Sequence, residues 1–210
     1  MREHSTQLTK FTLQLETPSI SIGHDVDYVL RSWLDLPLPN LSHLTFRHCY
    51  LLTLQSKLDQ FLTQCPGLQH LSVLASFCAF QPSIRLHVYD NSLLSFSALQ
   101  SLAIDVQFFT VHLLLQIAIQ LPSLVHLHLH RFSLEEGSPH LASQLADNPA
   151  ALATFKSWGI KELSLWPEYP LRLDSRTKKA LVDAFPHVYY FCGYARDAWT
   201  VENPLQLSQQ

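Results

Sequence analysis

The sequence predicts an α/β fold: a right-handed solenoid of about seven irregular repeats, with a parallel sheet on the concave side and helices on the convex side. Three observations predict it. Leucine supplies 40 of the 210 residues, an excess that calls for a search for internal repetition. A spaced triplet, apolar-x-x-apolar-x-apolar, recurs along the chain. Four of these triplets have proline two residues before their first apolar position, at Pro39, Pro66, Pro122 and Pro186.

The triplets justify the strands in chain order. They are Leu8/Phe11/Leu13, Leu41/Leu44/Phe46, Leu68/Leu71/Val73, Leu99/Leu102/Ile104, Leu124/Leu127/Leu129, Ile160/Leu163/Leu165 and Val188/Phe191/Gly193. Their starts are 33, 27, 31, 25, 36 and 28 residues apart, a mean of 30. Each interval is long enough for one strand and one crossover, and such crossovers are right-handed in nearly all proteins. Proline has a fixed φ and cannot continue a helix, so it ends the preceding helix and launches the strand in a set register.

Helical periodicity fills most of the intervals. In residues 26–34, Val26, Val29, Leu30, Trp33 and Leu34 follow i, i+3, i+4, i+7, i+8 and form one apolar stripe. Residues 51–62, 111–120, 142–158 and 178–185 read the same way. Residues 80–96 differ, because Arg85-Leu86-His87-Val88-Tyr89 alternates with period two and predicts a strand or extended loop. Residues 1–195 form the repeat domain in this reading, and residues 196–210 a tail that serves as a cap. Terminal repeats need covering, and Leu8 opens the array with no polar capping segment before it. The expectation is that an N-terminal portion is missing or that another chain covers that end.

Composition narrows the function classes. Hydrophobic residues are 47% of the chain, enough for a sizeable core, while charged residues are 15% and the net charge is −3 with the 12 histidines neutral. A strongly basic field for nucleic acid is therefore not expected. The most apolar stretch, residues 108–121, is interrupted by His112, Gln116 and Gln120 and is too short to span a bilayer. Cys49, Cys65, Cys78 and Cys192 show no C-x-x-C spacing, which predicts free thiols and a reducing compartment, cytoplasmic or nuclear.

The segments Leu38-Pro39-Asn40-Leu41-Ser42-His43-Leu44-Thr45-Phe46, Cys65-Pro66-Gly67-Leu68-Gln69-His70-Leu71-Ser72-Val73 and Leu121-Pro122-Ser123-Leu124-Val125-His126-Leu127-His128-Leu129 resemble a leucine-rich-repeat protein. They are similar to the long, irregular repeats in the C-terminal part of fungal F-box proteins. The resemblance runs from Leu8 to Gly193. It implies that the repeats capture a protein partner, as in ubiquitin-ligase substrate recognition. It also implies contact with ligase components through a missing or separate N-terminal segment, because Leu36-Pro37-Leu38-Pro39 leads into a repeat triplet and not into an F-box helical run.

Side chains alternate across a strand, so the residues before, between and after the two inner apolar positions face the concave surface. They form three columns. The first is Lys10, His43, His70, Ser101, His126, Glu162 and Tyr190. The middle is Thr12, Thr45, Ser72, Ala103, His128, Ser164 and Cys192. The third is Gln14, Arg47, Leu74, Asp105, His130, Trp166 and Tyr194. A small-residue middle column predicts a shallow groove flanked by recognition residues. Arg47, Trp166, Tyr190 and Tyr194 are the anchor candidates. The alternative for the last three is packing beneath the tail, with Trp199 and the Pro204 segment folded back.

His126, His128 and His130 make the most conspicuous cluster. Alternate strand residues are about 6.6 Å apart, so a zinc ion held by His126 and His128 with Glu162 from the next strand, in a metal-binding protein or metal-assisted hydrolase, is the alternative function. The leading reading needs no metal and no cofactor. Clustered histidines disfavour one another's protonation, which predicts pH-dependent partner binding. A Ser164/His128/Asp105 arrangement can be drawn across neighbouring strands, but the chain has no nucleophile elbow, no phosphate-binding signature and only 5 glycines. The sequence therefore predicts a non-enzymatic module.

Overall fold

The structure, a computed structural model, describes residues 7–14, 38–47, 64–74, 97–106, 108–133, 141–167 and 173–199. Among them the chain is α/β, with an open eight-stranded sheet whose strands follow one another in sequence order. The strands are β1 (Lys10–Gln14), β2 (His43–Arg47), β3 (His70–Leu74), β4 (Ser101–Asp105), β5 (His126–Phe132), β6 (Glu162–Pro167), β7 (Tyr190–Phe191) and β8 (Tyr194–Ala195). Every neighbouring pair from β1 to β7 is parallel, and β8 returns antiparallel on β7. The helices are α1 (Val111–Gln120), α2 (Leu141–Ala146), α3 (Pro149–Ser157), α4 (Ser175–Ala184) and the short α5 (Arg196–Trp199).

From the second triplet on, the first position stacks in the core: Leu41, Leu68, Leu99, Leu124, Ile160 and Val188 are all fully buried, whereas Leu8 is partly buried against it. The second positions pair strand to strand, Leu44 with Leu71, Leu71 with Leu102, Leu102 with Leu127, Leu127 with Leu163 and Leu163 with Phe191. These leucines share one core with buried residues of the helices, including Leu114, Ile117, Phe155 and Leu181. A strand that buries one face this completely cannot slip by a residue without turning its leucines into water, so burial fixes the register.

The prolines act at a β-turn. Leu41 N–H donates to Leu38 O (3.2 Å), Leu68 to Cys65 (3.1 Å), Leu124 to Leu121 (3.1 Å) and Val188 to Phe185 (3.2 Å). Pro39, Pro66, Pro122 and Pro186 each occupy the second turn position, where a φ near −65° is already in place. Both flanking residues of every such turn are buried. Gly67 is required in one of them, since a Cβ there would lie 2.9 Å from Pro39 O. Next to the turns, one carbonyl per strand accepts two N–H groups from the following strand's entry: Ser42 O from Gln69 and His70, Gln69 O from Gln100 and Ser101, Gln100 O from Val125 and His126. The repeat thus carries a backbone signature as well as a leucine signature.

The helical reading of residues 111–120 coincides with α1, capped by the Thr110 hydroxyl accepting from Leu113 N–H. Residues 142–158 form two helices, not one. Pro149 cannot continue α2, and the Asn148 side chain caps α3 by accepting from Ala151 N–H at 3.0 Å. The helix read at 178–185 begins earlier, at Ser175, because Asp174 caps it through Thr177 N–H. The readings at 26–34, 51–62 and 80–96 lie outside the described residues.

The C-terminal end departs from the repeat. The triplet Val188/Phe191/Gly193 extends a parallel strand only as far as Phe191. Cys192 (φ 51°) and Gly193 (φ 80°) then adopt left-handed backbone and reverse the chain into β8. Trp199 is buried and stacks on Phe191 with centroids 4.6 Å apart. Arg196 fastens this end by donating to Val182 O and Phe185 O (2.6 Å), carbonyls at the C-terminus of α4, and to Val188 O (3.2 Å) in the turn that follows. Residues 200–210, including the Pro204 segment, lie outside the described residues.

Candidate functional site

The sheet face turned away from the leucine core is the candidate site. Its first column runs in continuous register from Lys10 through His43, His70, Ser101, His126 and Glu162 to Tyr190. The middle column is Thr12, Thr45, Ser72, Ala103, His128 and Ser164, also in register. In the third, Arg47 pairs with Leu74, and Asp105, His130 and Trp166 lie side by side.

Four residues are placed otherwise than the sequence predicts. Asp105 is buried (2% exposed), because Ile104, Asp105 and Val106 are covered in succession where β4 ends and alternation breaks. Tyr194 is not beside Trp166. It pairs with Phe191 on β8 and is half-buried, since the turn at Cys192-Gly193 ends the parallel strand. Cys192 has left the middle column. Its thiol donates to Leu165 O (3.3 Å) and its sulfur accepts from Leu165 N–H (3.2 Å), filling the place of a strand partner on β6. Ser164 keeps its place in the middle column but, like Asp105, is buried.

The histidines occur in two settings. His43 and His70 stack with ring centroids 4.1 Å apart. Burial holds His70 below the ordinary histidine range, and the charges of His43 and His126 push it the same way. At the other end, His126 Nδ1 lies 3.2 Å from Glu162 Oε2. A carboxylate only accepts, so Nδ1 carries the proton. His128 is also lowered, by burial first and by His126, with Glu162 opposing. His130 stacks against Trp166 at 6.5 Å. Trp166 is 47% exposed and Tyr190 54%, so neither lies beneath the described part of the tail.

Sequence reasoning missed Ser42, which precedes β2. Its hydroxyl donates to Thr9 O (2.9 Å) and lies 2.8 Å from His43 Nδ1. A hydroxyl has one proton, so with that proton on Thr9 O, His43 Nδ1–H is the donor to Ser42 Oγ. The signal was present in the sequence as a serine directly before a strand, a position that favours side-chain to backbone bonding. Ser42 thereby orients His43 as Glu162 orients His126, through Nδ1 in both.

Among the described residues, no three His, Cys, Asp or Glu side chains are arranged to hold a metal ion. The two described thiols are poorly suited to nucleophilic work. Burial pushes Cys65 up to about 12 and raises Cys192, the latter against hydrogen bonds from Leu165 and Trp199 and the Lys178 charge, with Glu162 adding to the rise. None of the described helices is long and apolar enough to cross a membrane. No protein-family model and no curated protein sequence matches the chain.

Proposed function

We propose that the chain is a non-enzymatic protein-recognition module, a right-handed leucine-rich-repeat solenoid of about seven repeats whose concave sheet face holds a protein partner. The observation that carries this reading is the strand ladder, whose first and middle columns keep their register from β1 to β6, the shift on β5 falling beyond them between His130 and Phe132. It supports a rigid wall whose outward columns are set side by side without the leucine packing having any say in their chemistry. Arg47, Trp166 and Tyr190 are exposed on it, and Arg and aromatic residues dominate the energetics of protein interfaces. The test is affinity capture from the native cell with the wild-type chain and an Arg47→Ala/Trp166→Ala variant. Loss of the same prey locates the binding face, and retention of every prey by the variant refutes the reading. Within it, the F-box resemblance makes the prey a ubiquitin-ligase substrate, which requires ligase adaptor components in the same capture.

A further inference from the structure

We propose that the stacked pair His43 and His70 is a proton-operated hinge on this face: it stays closed while it carries at most one proton, and it opens by His70 turning outward over Ser101 when it takes up the second. The hinge deepens the recognition reading above, since a partner pressed on the closed pair loses that contact as pH falls.

The strand register builds the pair. His43 and His70 face each other across β2 and β3, and their rings stack with centroids 4.1 Å apart and planes 18° from parallel. Flat neutral rings attract at this separation, and a cation over the face of a neutral ring is attracted as well. Two imidazolium rings face to face repel. At about 4 Å in water that repulsion is worth roughly one pH unit of proton affinity. The closed pair therefore tolerates the first proton and resists the second.

The two rings are held unequally. His43 Nδ1–H donates to Ser42 Oγ (2.8 Å), and the Ser42 hydroxyl donates in turn to Thr9 O (2.9 Å), so His43 is tied to the backbone just before β1. Among the described residues no hydrogen bond holds the His70 ring, whose ring contact is His43 alone. His70 is the half that moves.

The direction of movement follows from its neighbours. On the side away from His43, the register partner of His70 is Ser101, small and half-buried, which leaves room for a ring. Beyond Ser101 stands His126, whose Nδ1–H donates to Glu162. Burial is the first cause that holds His70 below the ordinary histidine range, the charge of His43 the second and that of His126 the third. Turning outward over Ser101 relieves the first two together, and it brings the ring toward the weakest of the three, which Glu162 partly neutralises. The other charged or titratable groups described around the pair are Lys10 on β1, Arg47 at the far end of β2, the buried Asp105 at the far end of β4, and His128 on β5. Lys10 stands on the His43 side of the pair, so its charge favours the same movement.

The test is an NMR titration of the full chain, with 13C-labelled histidine, from pH 8 to pH 5. It follows the protonation of each ring and the NOE between the ring protons of His43 and His70. The wild type is expected to keep the NOE through the first proton uptake and to lose it with the second. His43→Gln lets His70 take up its proton about one pH unit higher, and His126→Gln raises it by less. Ser101→Leu fills the space over β4 and is expected to preserve the NOE further into acid and to delay the second proton, a change that neither lost charge nor misfolding imitates. An NOE that survives protonation of both rings, a His70 titration that His43→Gln leaves unchanged, or a Ser101→Leu variant identical to the wild type overturns the hinge. The two readings fail separately. A pair that never opens leaves the recognition face standing. If Arg47→Ala/Trp166→Ala keeps every prey, the recognition reading falls while the NOE still decides the hinge.

Discussion

Along β5, Leu127 and Leu129 are fully buried, while His126, His128 and His130, each one residue away, retain access to solvent. The same backbone thus presents two faces under different constraints. On the leucine face every position is in contact with the strands on either side, so shape and volume are dictated. On the histidine face the neighbours are set in place by the same register, yet nothing about folding requires imidazole there. Residues that the core does not demand are the ones whose identity carries chemistry. The exception at Asp105 sharpens the point: where both sides of a strand are covered, alternation no longer separates the two roles.

The largest expected effect contrasts the faces directly. Leu127→Ala removes a side chain at 0% exposure from the middle of the leucine stack and is expected to cost about 2–5 kcal/mol. His126→Gln, its immediate neighbour, is expected to stay within about 0.5 kcal/mol, as surface substitutions do. Urea denaturation of both variants measures the difference, and equal costs would erase the distinction between faces.

A smaller effect probes where the ladder ends. Gly193 has φ 80° with open space around its missing Cβ, so Gly193→Ala meets no steric obstacle beyond its own backbone. The expected loss is about 1 kcal/mol, from left-handed backbone alone. A neutral result would mean that the reversal into β8 is held by Cys192 and Arg196, without help from glycine.

Much of this was legible in the sequence, for a reason the residues make plain. Burial imposes period two on each strand, so the triplets of Leu41, Leu68, Leu99, Leu124 and Ile160 announce which neighbours face outward, and the pairing of His43, His70, Ser101, His126 and Glu162 followed. The turn prolines were visible, although their place inside a β-turn was not. Local competition hid the rest. Pro149 and Asn148 split a continuous helical stripe, and the left-handed pair Cys192-Gly193 ended a strand that apolar spacing extended. Glycine in the third slot of that triplet was the cue. The proton positions on His43 and His126 depend on Ser42 and Glu162, partners that only the register brings within reach.

The smallest effect is a slope. His70 and His128 sit below the ordinary value of 6.5 in the folded chain, chiefly through burial. The unfolded chain, with both near 6.5, binds more protons between that value and the folded ones, so stability rises with pH across this window. The contribution is fully present above 6.5 and is lost as pH falls through 6.5 towards the folded values. His70→Gln/His128→Gln should therefore flatten the decline in urea midpoint between pH 7.5 and 5.5, with His128, the more enclosed ring, carrying more of the change. Both rings remain within reach of water, which keeps the effect small. A decline identical in wild type and variant would mean that the histidine face is as open to water as an unfolded chain, and that the border between the two faces is sharper than their burial indicates.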